Sequence, residues 1–217
     1  MTNTSISRRK FLKIAAVGGA AAASCRGAAW IGNYRAPVSL PEIHPETGES
    51  ITKKILIAYS SICGSTAEVA VEIVKTLGAR GSSVEVWPLA EVKDHSPYSA
   101  VLTDSAVRMG RWPPEAKTFL EKNVAVLSGK RLAHFQVGVS LTEGTADGEE
   151  RARNAIAPIL ELLPPADYAL FAGKADPAKL TLIEQLIGRM VKTPVGDYRD
   201  WDAICNWADE VYPKLVA

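Results

Sequence analysis

Five short runs rich in branched apolar residues punctuate this chain, and amphipathic segments connect most of them. The runs are "KILIAY" (54–59), "SSVEVWPL" (82–89), "YSAVLTD" (98–104), "RLAHFQVGVS" (131–140) and "DYALFAG" (167–173). Each has strand length and composition. Helical spacing appears in 65–78, where Val69, Ala70, Ile73, Val74 and Leu77 share a face and Gly78 is expected to cap the end. Residues 113–127 open with prolines at a helix start, where a missing N–H costs little. Residues 147–163 form a further helix, with a kink or break expected at Pro158. Residues 176–192 and 198–215 add two more, the last with Trp201, Ile204, Cys205, Ala208 and Val211 on one face. Alternating strands and helices predict a parallel sheet covered on both faces. The predicted class is α/β, a three-layer sandwich with strand order 2-1-3-4-5 and an extra helix after strand five. Right-handed crossovers bring all strand C-termini to one edge, where such sheets bind ligands.

The N-terminus is of another kind. Arg8, Arg9, Lys10 and Lys13 lie in "SRRKFLK" with no acid nearby, followed by the weakly apolar "IAAVGGAAAAS". That run is far short of the roughly 20 residues a membrane-spanning helix needs. Basic, short apolar and small-residue segments in this order make a secretory signal. The paired arginines with Phe11 and Leu12 resemble a twin-arginine signal, the export route for folded proteins. Cys25 after "AAS" resembles a lipoprotein processing site, although Ala22 stands where Leu is usual. Cleavage near Gly27–Ala29 is the competing reading. The expected organisation is a signal peptide over 1–29, a Pro- and Gly-containing linker over 30–52 and a folded domain over 53–217.

Removing the four leader cations from the chain's 25 basic residues leaves 21 against 24 acidic ones, a net of −3. This balance does not suggest nucleic-acid binding. Three cysteines give no disulfide framework. His44, His95 and His134 are scattered, without metal-ligand spacing, and each is expected to be structural or solvated. No nucleophile-elbow motif is present. No catalytic residue and no metal ligand is therefore assigned.

"YSSICGST" (59–66) ends the first strand and starts the first helix. A helix N-terminus offers unpaired N–H groups and a partial positive charge, and so holds an anion. Gly64 permits close backbone approach, and Ser61, Ser65 and Thr66 add hydroxyls. The loop is neither a Walker A nor a Rossmann glycine motif. Tyr59, Ser61, Gly64, Thr66 and Ala70 fit the pattern of the flavodoxin phosphate loop, which this stretch resembles; Cys63 departs from it. A thiol is the poorer donor.

Three further stretches extend the resemblance. "DSAVRMGRWPPEAKTFL" (104–120) stands where flavodoxin-like proteins carry a loop beside the flavin, with Arg108 and Met109 where an aromatic is common. Trp112 reads either as a cover for the site or as packing. "VSLTEGTADG" (139–148) matches the loop that closes over the other face of the ring. Finally, Asp197, Tyr198, Asp200 and Trp201 resemble the C-terminal tail of the menaquinone-dependent protoporphyrinogen oxidases, a flavodoxin-like branch.

The resemblance implies a flavodoxin-like fold and FMN as cofactor. The implied contacts are Ser61, Ile62, Cys63, Gly64, Ser65 and Thr66 in the first loop. Ser105, Ala106, Val107, Arg108, Met109 and Gly110 follow in the second, and Ser140, Leu141 and Thr142 in the third. In such proteins the cofactor carries the redox chemistry, and the protein supplies orientation and polarity. The leading expectation is an exported electron-transfer protein, periplasmic or on the outer face of the cytoplasmic membrane. Its partners would be a redox protein or a membrane quinone, the twin-arginine machinery and a lipid anchor if Cys25 is acylated. Quinone-linked oxidation of a protoporphyrinogen-like substrate is the enzymatic alternative. A non-redox binding domain with a decayed flavin site is the third. The Leu/Ile run 180–187, with Met190 and Val191 beyond it, reads as a cover over the sheet edge or as a membrane- or quinone-facing surface.

Overall fold

In the computed structural model the strands and helices alternate as the periodicities require. The structure describes residues 54–61, 64–107, 110–179, 185, 186, 188, 190 and 194–217. Contacts divide the chain into two units, residues 38–177 with 193–217 and residues 1–37 with 178–192. In the second unit Gln185, Leu186, Gly188 and Met190 are helical, with Leu186 and Met190 exposed.

The first unit carries a five-stranded parallel sheet of β1 (Lys54–Ser60), β2 (Ser83–Pro88), β3 (Ala100–Ala106), β4 (Arg131–Gly138) and β5 (Asp167–Ala172). Their spatial order is β2-β1-β3-β4-β5. Among the described residues four helices cover it: α1 (Ser65–Ala79), α2 (Pro114–Leu127), α3 (Ala146–Leu162) and α4 (Trp201–Val216). A two-residue antiparallel pair, β6 (Lys174–Ala175) with β7 (Gly196–Asp197), stands beyond β5.

Alternation along the strands separates two cores. Ile55, Ile57, Leu102 and Phe135 pack with the apolar faces of α1 and α4. Leu56, Ala58, Val101 and Leu132 pack with α2 and α3 on the opposite face. Burying one such side chain stabilises the fold by about 2 kcal/mol.

The second core contains a complete polar network. Thr103 donates its hydroxyl to His134 Nδ1 at 2.6 Å, and His134 Nε2 meets the Leu163 carbonyl at 2.8 Å. Trp112 donates to Gln136 at 2.9 Å, and Gln136 donates to the Ala152 carbonyl at 3.0 Å. His134 is thus structural, and burial holds its pKa below the usual histidine value. Trp112 packs inside the domain. His95 is buried beside Phe119, while His44 lies outside the described residues.

Several local expectations change. Helix α1 runs through Gly78, and the left-handed residue that follows it is Gly81. Pro158 leaves α3 unbroken: it and Asn154, whose carbonyl it cannot serve, are both exposed, so water replaces the lost bond. In α4 the buried stripe is Ile204, Trp207, Ala208, Val211 and Leu215, while Trp201 is 39% exposed and Cys205 half-buried. The helix starts at Trp201 with Asp200 as its cap, accepting from Ala203 N–H at 2.9 Å. Trp201 therefore lies outside the stripe.

Candidate functional site at the carboxyl edge of the sheet

Strand order reverses between β1 and β3, so the loops leaving them diverge and open a crevice at the C-terminal edge. The first loop leads straight into α1. Gly64 precedes the helix with φ of 87°, a left-handed conformation that side-chain-bearing residues rarely adopt. Ser61 Oγ accepts the Gly64 N–H at 3.0 Å, closing the turn from inside. Among the described residues no side chain caps α1, and the first helical bond runs from Glu68 N–H to the Gly64 carbonyl at 3.0 Å. The N–H groups of Ser65 and Thr66 thus begin a helix without an intrahelical acceptor. Ser65 is half-buried and Thr66 is 1% exposed. Ile62 and Cys63 lie outside the described residues.

The second loop begins later than expected. Ser105 and Ala106 belong to β3, and Ser105 is fully buried with its hydroxyl donated to the Ala106 carbonyl at 3.1 Å. Their place is in the sheet because β3 extends two residues past Asp104, pairing Ser105 with Ser60 and Gln136. Val107 is the first residue beyond the strand, and its N–H still bonds the Val137 carbonyl at 3.2 Å. Gly110 is exposed with φ of 74°. Arg108 and Met109 lie outside the described residues.

The third loop is a tight 3-10 turn, Val139–Leu141. Thr142 donates its hydroxyl to the Val139 carbonyl at 2.7 Å, so that group serves the turn. Leu141 is half-buried and its carbonyl accepts the Gly144 N–H at 3.3 Å. Ser140 Oγ is buried and has no hydrogen-bond partner. A Cβ placed on Gly148, in the first turn of α3, would fall 2.2 Å from the Ser140 carbonyl oxygen. Only glycine lets this helix start seat itself on the loop. A Cβ on Gly138 would meet the Val107 side chain at 3.4 Å and Ser140 Oγ at 3.7 Å. The second and third loops therefore converge at Val107, Gly138 and Ser140.

The C-terminal tail joins the same edge. Gly173 N–H bonds the Gly138 carbonyl at 3.0 Å, and Tyr198 N–H bonds the Gly173 carbonyl at 3.2 Å. Arg199, whose side chain is 4% exposed, pairs with Glu68 in the first turn of α1 at 2.7 Å and with Asp197 at 2.5 Å. Its guanidinium also lies 4.4 Å from the Trp201 ring centroid. Nothing in the local sequence singled out Arg199, because its partner Glu68 is 131 residues away.

Asp104 was likewise not singled out. It is wholly buried, and neither carboxylate oxygen has a hydrogen-bond partner. Burial pushes its pKa well above the usual carboxylate range, against a smaller opposing pull from the Ser105 N–H.

The arrangement suits a phosphorylated planar ligand: uncapped N–H groups for an anion at α1, and two converging loops with an orphaned hydroxyl for a ring. Residues 56–202 match the flavodoxin domain in sequence. The chain belongs to the flavodoxin-domain family. Membership points to FMN as the cofactor. Residues 5–24 match the TAT (twin-arginine translocation) pathway signal sequence. Among solved structures, a short-chain flavodoxin associated with a bacterial microcompartment aligns with a TM-score of 0.50 at 12% identity, over 76% of this chain and 97% of that one. An archaeal flavodoxin aligns with a TM-score of 0.49 at 16% identity, over 76% and 99%. Flavodoxin 2 from Bacillus cereus aligns with a TM-score of 0.48 at 21% identity, over 74% and 99%. No curated protein sequence matches the chain significantly. Among the described residues no group of three or more His, Cys, Asp or Glu is placed to hold a metal ion. No described helix is long and apolar enough to cross a membrane.

Proposed function

We propose that the chain is an exported FMN-binding electron-transfer protein of flavodoxin type. The observation that carries this reading is the uncapped α1 N-terminus beside left-handed Gly64, at the switch point between β1 and β3. There the N–H groups of Ser65 and Thr66 hold the phosphate, and the Ser61 side chain fixes the turn that presents them. Val107 and the Ser140 turn flank the ring, with the buried Ser140 hydroxyl as a polar contact. When bound, FMN supplies one- and two-electron transfer. The protein orients it and limits water at the edge.

The twin-arginine match supports export, and a cofactor made inside the cell gives a reason to fold before crossing. In this reading residues 1–29 are the signal and 30–52 the linker, with residues 53–217 as the domain. The mature protein is periplasmic or faces outward from the cytoplasmic membrane, tethered if Cys25 is acylated. Its partner is a membrane quinone or a redox protein, and the exposed Leu186 and Met190 favour an apolar one.

A second reading rests on the tail. Asp197, Tyr198, Asp200 and Trp201, the residues resembling the menaquinone-dependent protoporphyrinogen oxidases, belong to the tail that Tyr198 N–H ties to Gly173 and Arg199 ties to the first turn of α1. This favours quinone-linked oxidation of a porphyrinogen-like substrate. Anaerobic mixing of the FMN-loaded protein with a quinol, and separately with protoporphyrinogen, distinguishes the two. Electron-transfer function predicts rapid equilibration with the quinol and no porphyrin formation. Porphyrin formation with quinone as acceptor would replace the first reading with the second.

A further inference from the structure

Asp104 lies on β3 between Tyr59 of β1 and Phe135 of β4, its in-register neighbours. Alternation with Ala100 and Leu102 points it to the sheet face covered by α1 and α4. It precedes the strand's end at Ala106 by two residues, roughly 7 Å of chain. The first turns of α1, with buried Thr66, Ala67 and Ala70, descend onto that face from the same edge. The helix whose start is proposed above to hold the phosphate thus packs on the same sheet face into which this carboxyl is sealed.

Among the described residues, the elements packed on that face bring this carboxyl no counter-charge. From β1 comes Tyr59, whose pKa is itself raised by burial and by Glu91. From β4 and β5 come Phe135 and Phe171. From α1 come Thr66, Ala67 and Ala70, while the nearest charge on that helix, Glu68, is engaged by Arg199. From α4 come Ile204, Trp207 and Ala208. The Trp207 indole N–H on α4 is buried and also unpartnered, and its ring lies 5.8 Å from that of Phe135, the in-register neighbour of Asp104.

We propose that Asp104 gates cofactor occupancy: FMN is held while this carboxyl keeps its proton, and its ionisation expels the phosphate from the α1 N-terminus. The inference rests on the FMN reading above and adds a control to it. The physical ground is that a helix N-terminus offers only about half a unit of positive charge. It accommodates one anion well, not two across a water-poor face. Proton and FMN then bind with positive coupling, each strengthening the other. Burial already favours the neutral carboxyl, so the site is set for loading below the ionisation range and for release above it.

The test is FMN titration, followed by flavin fluorescence, of the full chain and its Asp104→Asn variant over a pH range spanning the ionisation of Asp104, located in the apoprotein by carboxyl carbon-13 NMR. Ionisation of the FMN phosphate affects both proteins alike. The expected result is that the wild-type Kd weakens at least tenfold more than the variant's over this range. Calorimetry of the wild type in two buffers of different ionisation enthalpy provides a reading independent of the variant, and net proton uptake on FMN binding is expected above the apoprotein's Asp104 ionisation. Parallel profiles without proton uptake would overturn the gating role while leaving FMN binding intact. Failure of both proteins to bind FMN at any pH would overturn the cofactor reading and the gate together.

Discussion

Arg199 and Glu68 meet at 2.7 Å across 131 residues of chain, fastening the C-terminal tail to the first turn of α1. The pair is asymmetric, because the Arg199 side chain is 4% exposed and that of Glu68 42%. Asp197 and Trp201 also hold the guanidinium. Arg199→Ala should cost about 1–2 kcal/mol, through loss of the buried guanidinium's packing, ion pairs and stacking, while the two half-exposed carboxylates remain solvated. Glu68→Gln should cost about 1 kcal/mol or less, because Arg199 keeps Asp197. Urea denaturation of the two variants checks the order.

His134 makes stability depend on pH from the acid side. The fold holds its imidazole neutral between Thr103 and Leu163, with a pKa below the ordinary 6.5. The unfolded chain takes up the proton first as pH falls. The wild type should therefore lose up to about 1.4 kcal/mol per pH unit below roughly 6.5, until the folded form also protonates. His134→Gln should lack this limb. Urea midpoints at pH 7.5 and 5.5 make the comparison.

Asp104 acts in the opposite sense. Its folded pKa is raised, so the unfolded chain gives up the proton first as pH climbs above the ordinary 3.8. The apoprotein should lose stability with rising pH until the folded carboxyl also ionises. Asp104→Asn should raise the melting temperature at pH 8 and change it less at pH 5. Calorimetric scans of the apo forms at both pH values report the difference.

Gly148 is the contact on which the third loop rests. Gly148→Ala places a methyl 2.2 Å from the Ser140 carbonyl oxygen, and the obstacle is backbone that cannot rotate away. A loss of roughly 1–3 kcal/mol is expected, together with weaker FMN binding. A control at exposed Gly129, where a new Cβ has only the Val126 carbonyl at 3.7 Å, should leave FMN affinity unchanged.

The alternation of strands and helices and the turn that starts α1 at Ser65 were legible because both are local: two periodicities and one turn carry them. The boundary of β3 was less so, since "VLTDSA" reads equally as a strand ending at Asp104 or continuing through it. The longer strand put Ser105 in the sheet, and no short-range pattern marks a lone acid such as Asp104 as buried. Trp201 was expected on the apolar face of α4, but the helix begins at Trp201 and its buried stripe runs through Ile204, Trp207, Ala208, Val211 and Leu215. Arg199 depended on a partner that only the fold brings near.

The most direct test is equilibrium titration of the purified apoprotein with FMN near pH 6.5, followed by flavin fluorescence and visible absorbance. A one-to-one complex with submicromolar affinity, weakened at least tenfold when Ser61→Ala and Thr66→Val are combined, is the predicted result. Correctly folded protein that stays colourless and leaves micromolar FMN fluorescence unchanged would contradict the account.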